Sequence, residues 1–240
     1  MIKLGSNSIG KIYLGSNSIG KAYLGSNLVF QKGSSPTPSI QPVFYDRLVF
    51  DGTAYIETGI TPPADASFLV RLGNETVNGA QRCFLCPSSN DGYIGITYGN
   101  NANSRYFNVY YGQASTVSST HYLAFSTTTY NFFLTPNRFG WGNNTSYTFT
   151  RGAENAAGSL ILGSNISHNG QPYTGTMDEF KIYGSDAQNV TNANDFSSYT
   201  PVYTLRPCTY NGEAGMWCVE TSTFYGNTAG EGTLSVLNNS

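Results

Sequence analysis

The sequence predicts an all-β protein with a short repetitive β arm at residues 1–31 and a large β-sandwich or barrel domain at residues 43–240. First, the 240 residues include 18 Tyr, 14 Phe and 27 Gly, and aromatic residues favour strands whereas Gly favours turns. Second, a ten-residue motif recurs three times at the N-terminus. Third, many short strand-like segments separated by turn residues follow from Val43, as is typical of a sandwich or barrel.

The arm consists of three copies of one unit. Residues 4–7, 14–17 and 24–27 all read Leu-Gly-Ser-Asn. Gly accepts positive φ and Asn tolerates the left-handed region, so Gly-Ser-Asn is typical of a turn. Each unit is therefore predicted to be a strand, a turn and a short strand, and three units in series would form a small meander or a rung-like stack.

An arm of this length falls below the roughly 40 residues that fold without staples, and its open strand edges need cover. It either docks on a partner or on copies of itself by strand addition, or adds strands to the same chain's larger domain. We expect docking, because a Pro/Ser-rich linker at residues 32–42 separates the two. The apolar residues expected to dock are Tyr13, Leu14, Ile19, Tyr23, Leu24, Val29 and Phe30.

Self-association of the arm would produce a homo-oligomer. A trimer is favoured over a dimer, because three arms wound about one axis form a closed symmetric arrangement. The competing outcome is a monomer whose arm is covered by a different protein.

The larger domain is predicted to contain short strands and one helical turn near residues 186–196. The predicted strands are residues 47–50, 54–58, 67–72, 92–98, 106–111, 121–126, 130–134, 160–162, 177–183 and 215–219.

Several motifs carry a family resemblance. Residues 48–59, LVFDGTAYIETG, resemble the opening strands of concanavalin A-like, laminin-G-like jelly-rolls, and residues 175–183, GTMDEFKIY, resemble a late strand of the same folds. Gly215-Met216-Trp217 and residues 226–233 resemble the C-terminal segment of a subset from gut bacteria and their phages. That subset usually carries Asp after the Trp, where this chain has Cys218. The resemblance implies a two-sheet jelly-roll.

The YLGSN sequences at residues 13–17 and 23–27 resemble repeats that open structural proteins of gut bacteriophages, including crAss-like phages. This resemblance implies a virion structural protein, such as a capsid decoration, head-fibre or tail-associated subunit. It would be made in the host cytoplasm and bind other virion proteins through its arm. The alternative function is a carbohydrate-binding module for host-surface or mucus glycans.

No catalytic residue is predicted. Glucanases of this fold class resemble one another in carrying carboxylates at alternate positions of a strand, where they share a face, and this chain has no such run. Asp178 and Glu179 are adjacent, so they are expected to point to opposite faces, one structural and one solvated. Neither His121 nor His168 lies near a nucleophile motif. The chain is therefore expected not to be an enzyme.

Sugar binding is predicted to involve loops at residues 98–103 and 141–145, where an aromatic platform would lie beside Asn side chains. The candidates are Asn100, Asn101, Trp141, Asn143 and Asn144. In the alternative interpretation, these stretches form hairpin turns and Trp141 packs in a sheet.

Laminin-G-like folds also imply Ca²⁺, to which Asp51 and Asp178 would contribute oxygen ligands. The acidic clustering is thin, so no cofactor is expected.

Charge and cysteine content exclude other classes. With 12 basic and 14 acidic residues and no basic patch, nucleic acid is not an expected partner. No run approaches the roughly 18 apolar residues of a membrane span, and no hydrophobic leader is present, so the protein is expected to be soluble. Cys83-x-x-Cys86 lacks the second pair that a zinc site needs. Cys208 and Cys218 are predicted to be buried thiols, with a disulfide between them as the alternative.

Overall fold

The computed structural model describes residues 41–73, 129–142, 145–150, 158–164 and 173–238, and the backbone of further strands in residues 3–31 and 82–120. The chain divides into two compact units, Met1–Gln41 and Pro42–Ser240. No helix in these described parts is both long enough and apolar enough to cross a bilayer.

The first unit contains three two-stranded hairpins. Their strands are β1 (Lys3–Leu4), β2 (Asn7–Ser8), β3 (Ile12–Leu14), β4 (Asn17–Ile19), β5 (Lys21–Leu24) and β6 (Asn27–Gln31). In each repeat the Leu pairs with the Asn three positions later, so the pair encloses Gly-Ser alone. Two-residue connections are the commonest in hairpins, and one type requires Gly first. The Asn thus belongs to the second strand. In the part of the arm that the structure describes, each repeat pairs within itself, and a meander or rung-like stack of the three repeats stays a prediction.

The second unit is a sandwich of two antiparallel sheets. Its strands are β7 (Val43–Phe44), β8 (Arg47–Asp51), β9 (Ile56–Glu57), β10 (Ser67–Gly73), β11 (Arg82–Pro87), β12 (Ile94–Asn101), β13 (Ser104–Tyr111), β14 (Thr116–Thr120), β15 (Tyr130–Thr135), β16 (Arg138–Trp141), β17 (Thr145–Thr148), β18 (Leu160–Leu162), β19 (Thr174–Tyr183), β20 (Tyr203–Tyr210), β21 (Glu213–Cys218), β22 (Thr223–Tyr225) and β23 (Leu234–Leu237).

The large sheet has the order β17-β16-β15-β10-β19-β20-β21-β22, with β7 attached to β20, β8 attached to β19, and β23 attached to β8. The small sheet has the order β14-β13-β12-β11-β18-β9. This arrangement confirms the predicted all-β class. The strand predicted at residues 121–126 lies outside the described residues.

The hydrophobic core lies between the sheets. Alternate residues point inward from the large sheet, including Phe50, Phe68 and Phe180, and they meet Tyr111 and Leu162 of the small sheet. The buried Tyr111 hydroxyl donates to the carbonyl of Ala66 at 2.8 Å, which satisfies its polar atom. The inner face of the large sheet therefore packs against the small sheet.

The opposite face of the large sheet, called the outer face here, is covered at one end. Phe133 and Tyr183 pack there against Phe196 in a second apolar cluster. The covering segment contains two short 3-10 helices, Ser185–Ala187 and Ala193–Ser198, which confirms the helical turn predicted near residues 186–196. The rest of the outer face carries the polar groove described below.

The two described cysteines are buried and free. On β20 and β21, Cys208 is opposite Gly215, whereas Cys218 is opposite Leu205. Cys208 and Leu205 are three residues apart on one strand, so the two thiols point to opposite faces and cannot form a disulfide. Burial raises the pKa of Cys208 to about 11, which makes this thiol a poor nucleophile at neutral pH.

Candidate functional site

A β-bulge in β19 places two carboxylates on the outer face. Val70 pairs with Phe180 and Leu72 pairs with Met177, so Arg71 of β10 lies opposite both Asp178 and Glu179. A bulge sets two residues of one strand against one of its partner and interrupts the alternation of faces. The expectation that Asp178 and Glu179 point to opposite faces is therefore wrong.

The bulge coincides with a fork in the large sheet. The first part of β19 pairs with β8 and the second part pairs with β20, so the bulged residues lie where one neighbour replaces the other. An open groove of about 340 Å³ lies at this fork. Its lining residues are Tyr45, Asp46, Leu69, Arg71, Asn131, Asp178, Glu179, Lys181, Arg206 and Pro207.

Asp178 lies at the bottom of the groove between two arginines. Its Oδ1 is 3.5 Å from Arg47 Nε and its Oδ2 is 3.3 Å from Arg71 Nε. Burial raises the pKa of Asp178, while the Arg71 and Arg47 charges oppose this shift. The buried atoms Asp178 Oδ1 and Arg47 Nε form no hydrogen bond within the described residues. The ion pair between these two atoms therefore compensates for the hydrogen bonds that they lack.

Glu179 lies nearer the solvent. Its Oε2 is 2.6 Å from Lys181 Nζ and its Oε1 is 3.9 Å from Arg206 Nε. The groove thus presents a row of alternating charges along β19 and its two neighbours.

Arg206 connects the groove to an exposed row of aromatic rings. Its guanidinium carbon lies 4.4 Å from the centroid of the Phe44 ring, a cation–π distance. Arg206 is paired with Trp217, which is paired in turn with Phe224. Directly paired residues share a face, so all three side chains lie on the outer face.

The remaining ring of this row is Tyr210. Its centroid is 5.4 Å from that of Trp217 and 5.5 Å from that of Phe224. Gly215 makes room for this packing, because a Cβ there would be 2.8 Å from the Phe224 ring. We call Phe44, Tyr210, Trp217 and Phe224 the aromatic strip; each of the four is partly or well exposed.

The structure places the predicted sugar-binding residues as follows. Trp141 in β16 is 7% exposed and packs in the core, 5.8 Å from Phe139 and 5.5 Å from Tyr147 between ring centroids. Trp141 therefore packs in a sheet, as the alternative interpretation of the sequence expects. Asn100 and Asn101 lie at the end of β12, where the backbone is described. Asn143 and Asn144 lie outside the described residues.

Asp51 and Asp178 do not form a calcium site. Asp51 Oδ1 accepts hydrogen bonds from Thr53 and Ala54, and its Oδ2 accepts one from the backbone N–H of Thr233. Burial would raise the pKa of Asp51, but these hydrogen bonds outweigh it and leave the pKa lowered. Asp178 is flanked by arginines, which repel a cation. The described residues contain no group of three or more acidic, His or Cys side chains suited to a metal.

The predicted docking residues all lie on strands of the arm. Tyr13 and Leu14 belong to β3, Ile19 to β4, Tyr23 and Leu24 to β5, and Val29 and Phe30 to β6. Their involvement in docking stays a prediction. His121 and His168 lie outside the described residues.

Two solved structures are similar to this chain, and the first of them supports the fold. A putative carbohydrate-binding protein from Bacteroides ovatus superposes with a TM-score of 0.56 at 12% identity over 83% of this chain, and the chain spans 62% of that protein's length. A SAP-like pentraxin from Limulus polyphemus gives a TM-score of 0.45 at 8% identity, covering 74% of this chain and 96% of the pentraxin. No protein-family model and no curated protein matches the sequence. The second unit thus has the two-sheet jelly-roll fold that the sequence motifs predicted.

Sequence reasoning missed the groove and the aromatic strip, although one signal was present. Tyr210-Asn211-Gly212-Glu213 contains Asn-Gly between strand-like segments, which is the strongest short-range sign of a hairpin. Asn211 and Gly212 indeed have φ of 53° and 83°. Counting outward from that turn would have paired Arg206 with Trp217.

Proposed function

We propose that the jelly-roll is a carbohydrate-binding module that holds a glycan along the outer face of its large sheet. The observation that carries this proposal is the continuity between the charged groove and the aromatic strip, which meet at Arg206. The similarity to the Bacteroides ovatus protein, described as a putative carbohydrate-binding protein, agrees with it.

The chemistry of the surface suits a sugar. A pyranose ring has hydroxyl groups around its edge and C–H groups on its faces. Arg71, Asn131, Glu179 and Lys181 supply hydrogen-bond donors and acceptors in the groove, and Trp217 supplies an apolar ring with a polar edge. A site that combines a few fixed polar groups with aromatic surface is typical of small-molecule and glycan recognition.

We propose that this surface binds without catalysing hydrolysis. Glycosidases place their two carboxyl groups on either side of the scissile bond. Here Asp178 and Glu179 are neighbours on one strand, and both are engaged by basic side chains. Asp178 also lies below its two arginines, with its side chain 10% exposed, and this position favours a structural role.

A second proposal concerns the arm. Three hairpins that share the sequence Leu-Gly-Ser-Asn belong to a separate unit, and repeated strand edges are suited to strand addition. We propose that the arm anchors the protein to other virion proteins of a bacteriophage, as a capsid decoration, head-fibre or tail-associated subunit, and displays the jelly-roll outward. The repeats' resemblance to phage structural proteins supports this proposal; nucleic acid and membrane are not among the proposed partners.

The glycan proposal is tested by changing Trp217. In a binding assay against a panel of bacterial capsular and mucus glycans, Trp217→Ala should bind about tenfold more weakly than the unchanged protein, the equivalent of about 1.4 kcal/mol. Trp217→Phe should retain most of the affinity because it keeps an aromatic face. Leu237→Ala, at an exposed position on β23, is the matched control. Undiminished binding by Trp217→Ala would remove the aromatic strip from the site.

A further inference from the structure

We infer that the groove selects acidic glycan chains, with Arg71 and Arg206 receiving their carboxylate or sulfate groups. This inference rests on the proposed glycan-binding function, and it adds the chemical class of the ligand.

The charges around the groove are unevenly accessible. Three basic side chains, Arg71, Lys181 and Arg206, and three acidic ones, Asp46, Asp178 and Glu179, line the groove. Asp178 is the most deeply buried of the ion-paired groups, and its charge is directed toward Arg47 and Arg71. The accessible charges of the groove are then three basic and two acidic, which is a local excess of positive charge in a chain of net charge −2.

The two arginines keep much of their surface in solvent. The side chain of Arg71 is 49% exposed and that of Arg206 is 44% exposed. Asp178 anchors Arg71 from below, and Phe44 supports the guanidinium of Arg206 at 4.4 Å. Each is thus oriented before a ligand arrives. A planar guanidinium matches the two oxygens of a carboxylate or sulfate.

The spacing of the arginines indicates a chain rather than a single sugar. Arg71 lies on β10 and Arg206 on β20, with β19 between them. Neighbouring strands are about 4.8 Å apart, so these two backbones are separated by about 10 Å. That span is wider than one pyranose ring, and a repeating acidic polysaccharide would place charged groups at both ends.

The test compares acidic glycans with neutral counterparts of the same backbone. Isothermal titration of the full-length protein would use polygalacturonate and its fully methyl-esterified form, alginate and its propylene glycol ester, and sialyllactose and lactose. At least one acidic polymer should bind about tenfold or more tightly than its ester, and raising the salt concentration should weaken that binding. Sialyllactose, with one charge, should bind more weakly than the polymer.

Two variants locate the effect. Arg71→Gln and Arg206→Gln should each reduce the preference for the acidic form, whereas Arg138→Gln should leave it unchanged. Arg138 is a suitable control because it lies on β16 and contacts Ser146, away from the groove. Equal affinity for acidic and neutral forms would overturn the inference while glycan binding stands. Binding to no glycan in this panel or in the capsular and mucus panel would overturn the proposed function as well.

Discussion

At the residue scale, the buried carboxylate of Asp178 determines which charges the groove presents. It holds Arg47 and Arg71 by their Nε atoms at 3.5 and 3.3 Å, so one buried acid orients two basic side chains. Removing Asp178 would leave the buried Nε of Arg47, which forms no hydrogen bond within the described residues, without its ion-pair partner, and an unsatisfied buried polar group costs about 1–3 kcal/mol. The neighbouring Glu179 is more exposed, and exposed ion pairs stabilise a fold by only about 0–1 kcal/mol.

We therefore predict that Asp178→Ala destabilises the jelly-roll by roughly 2 kcal/mol, whereas Glu179→Ala costs less than about 1 kcal/mol. Denaturant unfolding of the two variants and the unchanged protein measures both values. Asp178 and Glu179 are adjacent on one strand, and each substitution removes one carboxylate. Glu179→Ala therefore shows how much stability is lost when a less buried carboxylate is removed from the same place. Equal destabilisation by the two substitutions would contradict the buried role of Asp178.

The same two residues show why the sequence predicted the fold better than the site. Alternating polar and apolar residues at 179–182 are readable in the sequence, and they correctly predict a strand. The bulge is not readable, because it depends on the register with β10. Trp141 and Trp217 look equally suitable as platforms in the sequence, yet Trp141 is in the core and Trp217 is on the outer face.

At the element scale, the hairpin of β20 and β21 builds half of the proposed site. Its Asn-Gly turn fixes the register that sets Arg206 beside Trp217. The repeats of the arm use Gly-Ser in the same way, since pairing of Leu with Asn closes each hairpin on two residues. These short-range signals could be predicted from sequence, whereas the pairing of β8, β19 and β20 joins segments more than 20 residues apart and depends on core packing.

We predict that removing residues 1–31 leaves a folded jelly-roll that no longer self-associates or joins phage particles. The core residues that the structure describes all belong to the second unit, so the thermal unfolding midpoint of the jelly-roll should not change. Light scattering should show a homo-oligomer, with a trimer expected, for the full-length chain and a monomer for the truncated one. If the full-length protein stays monomeric at high concentration, self-association is wrong. If the truncated protein still joins particles at normal levels, docking by the arm is wrong.

At the scale of the whole molecule, we propose that the two units have different functions, glycan binding for the jelly-roll and anchoring for the arm. The jelly-roll uses the inner face of its large sheet for the core and part of the outer face to hold residues 185–198. The remaining outer face carries the charged groove and the aromatic strip. In our proposal the arm supplies strands for attachment, so glycan recognition and anchoring could be changed independently.

The proposed binding of a glycan along the outer face is tested most directly by mapping a bound oligosaccharide by NMR, with an isotopically labelled chain and an oligomer of the best-binding glycan. If the glycan lies along the outer face, the amide signals of Arg71, Lys181, Arg206 and Trp217 should shift during the titration, while those of β12 and residues 141–145 should stay in place. Shifts confined to residues 98–103 and 141–145, with the outer face unchanged, would contradict it.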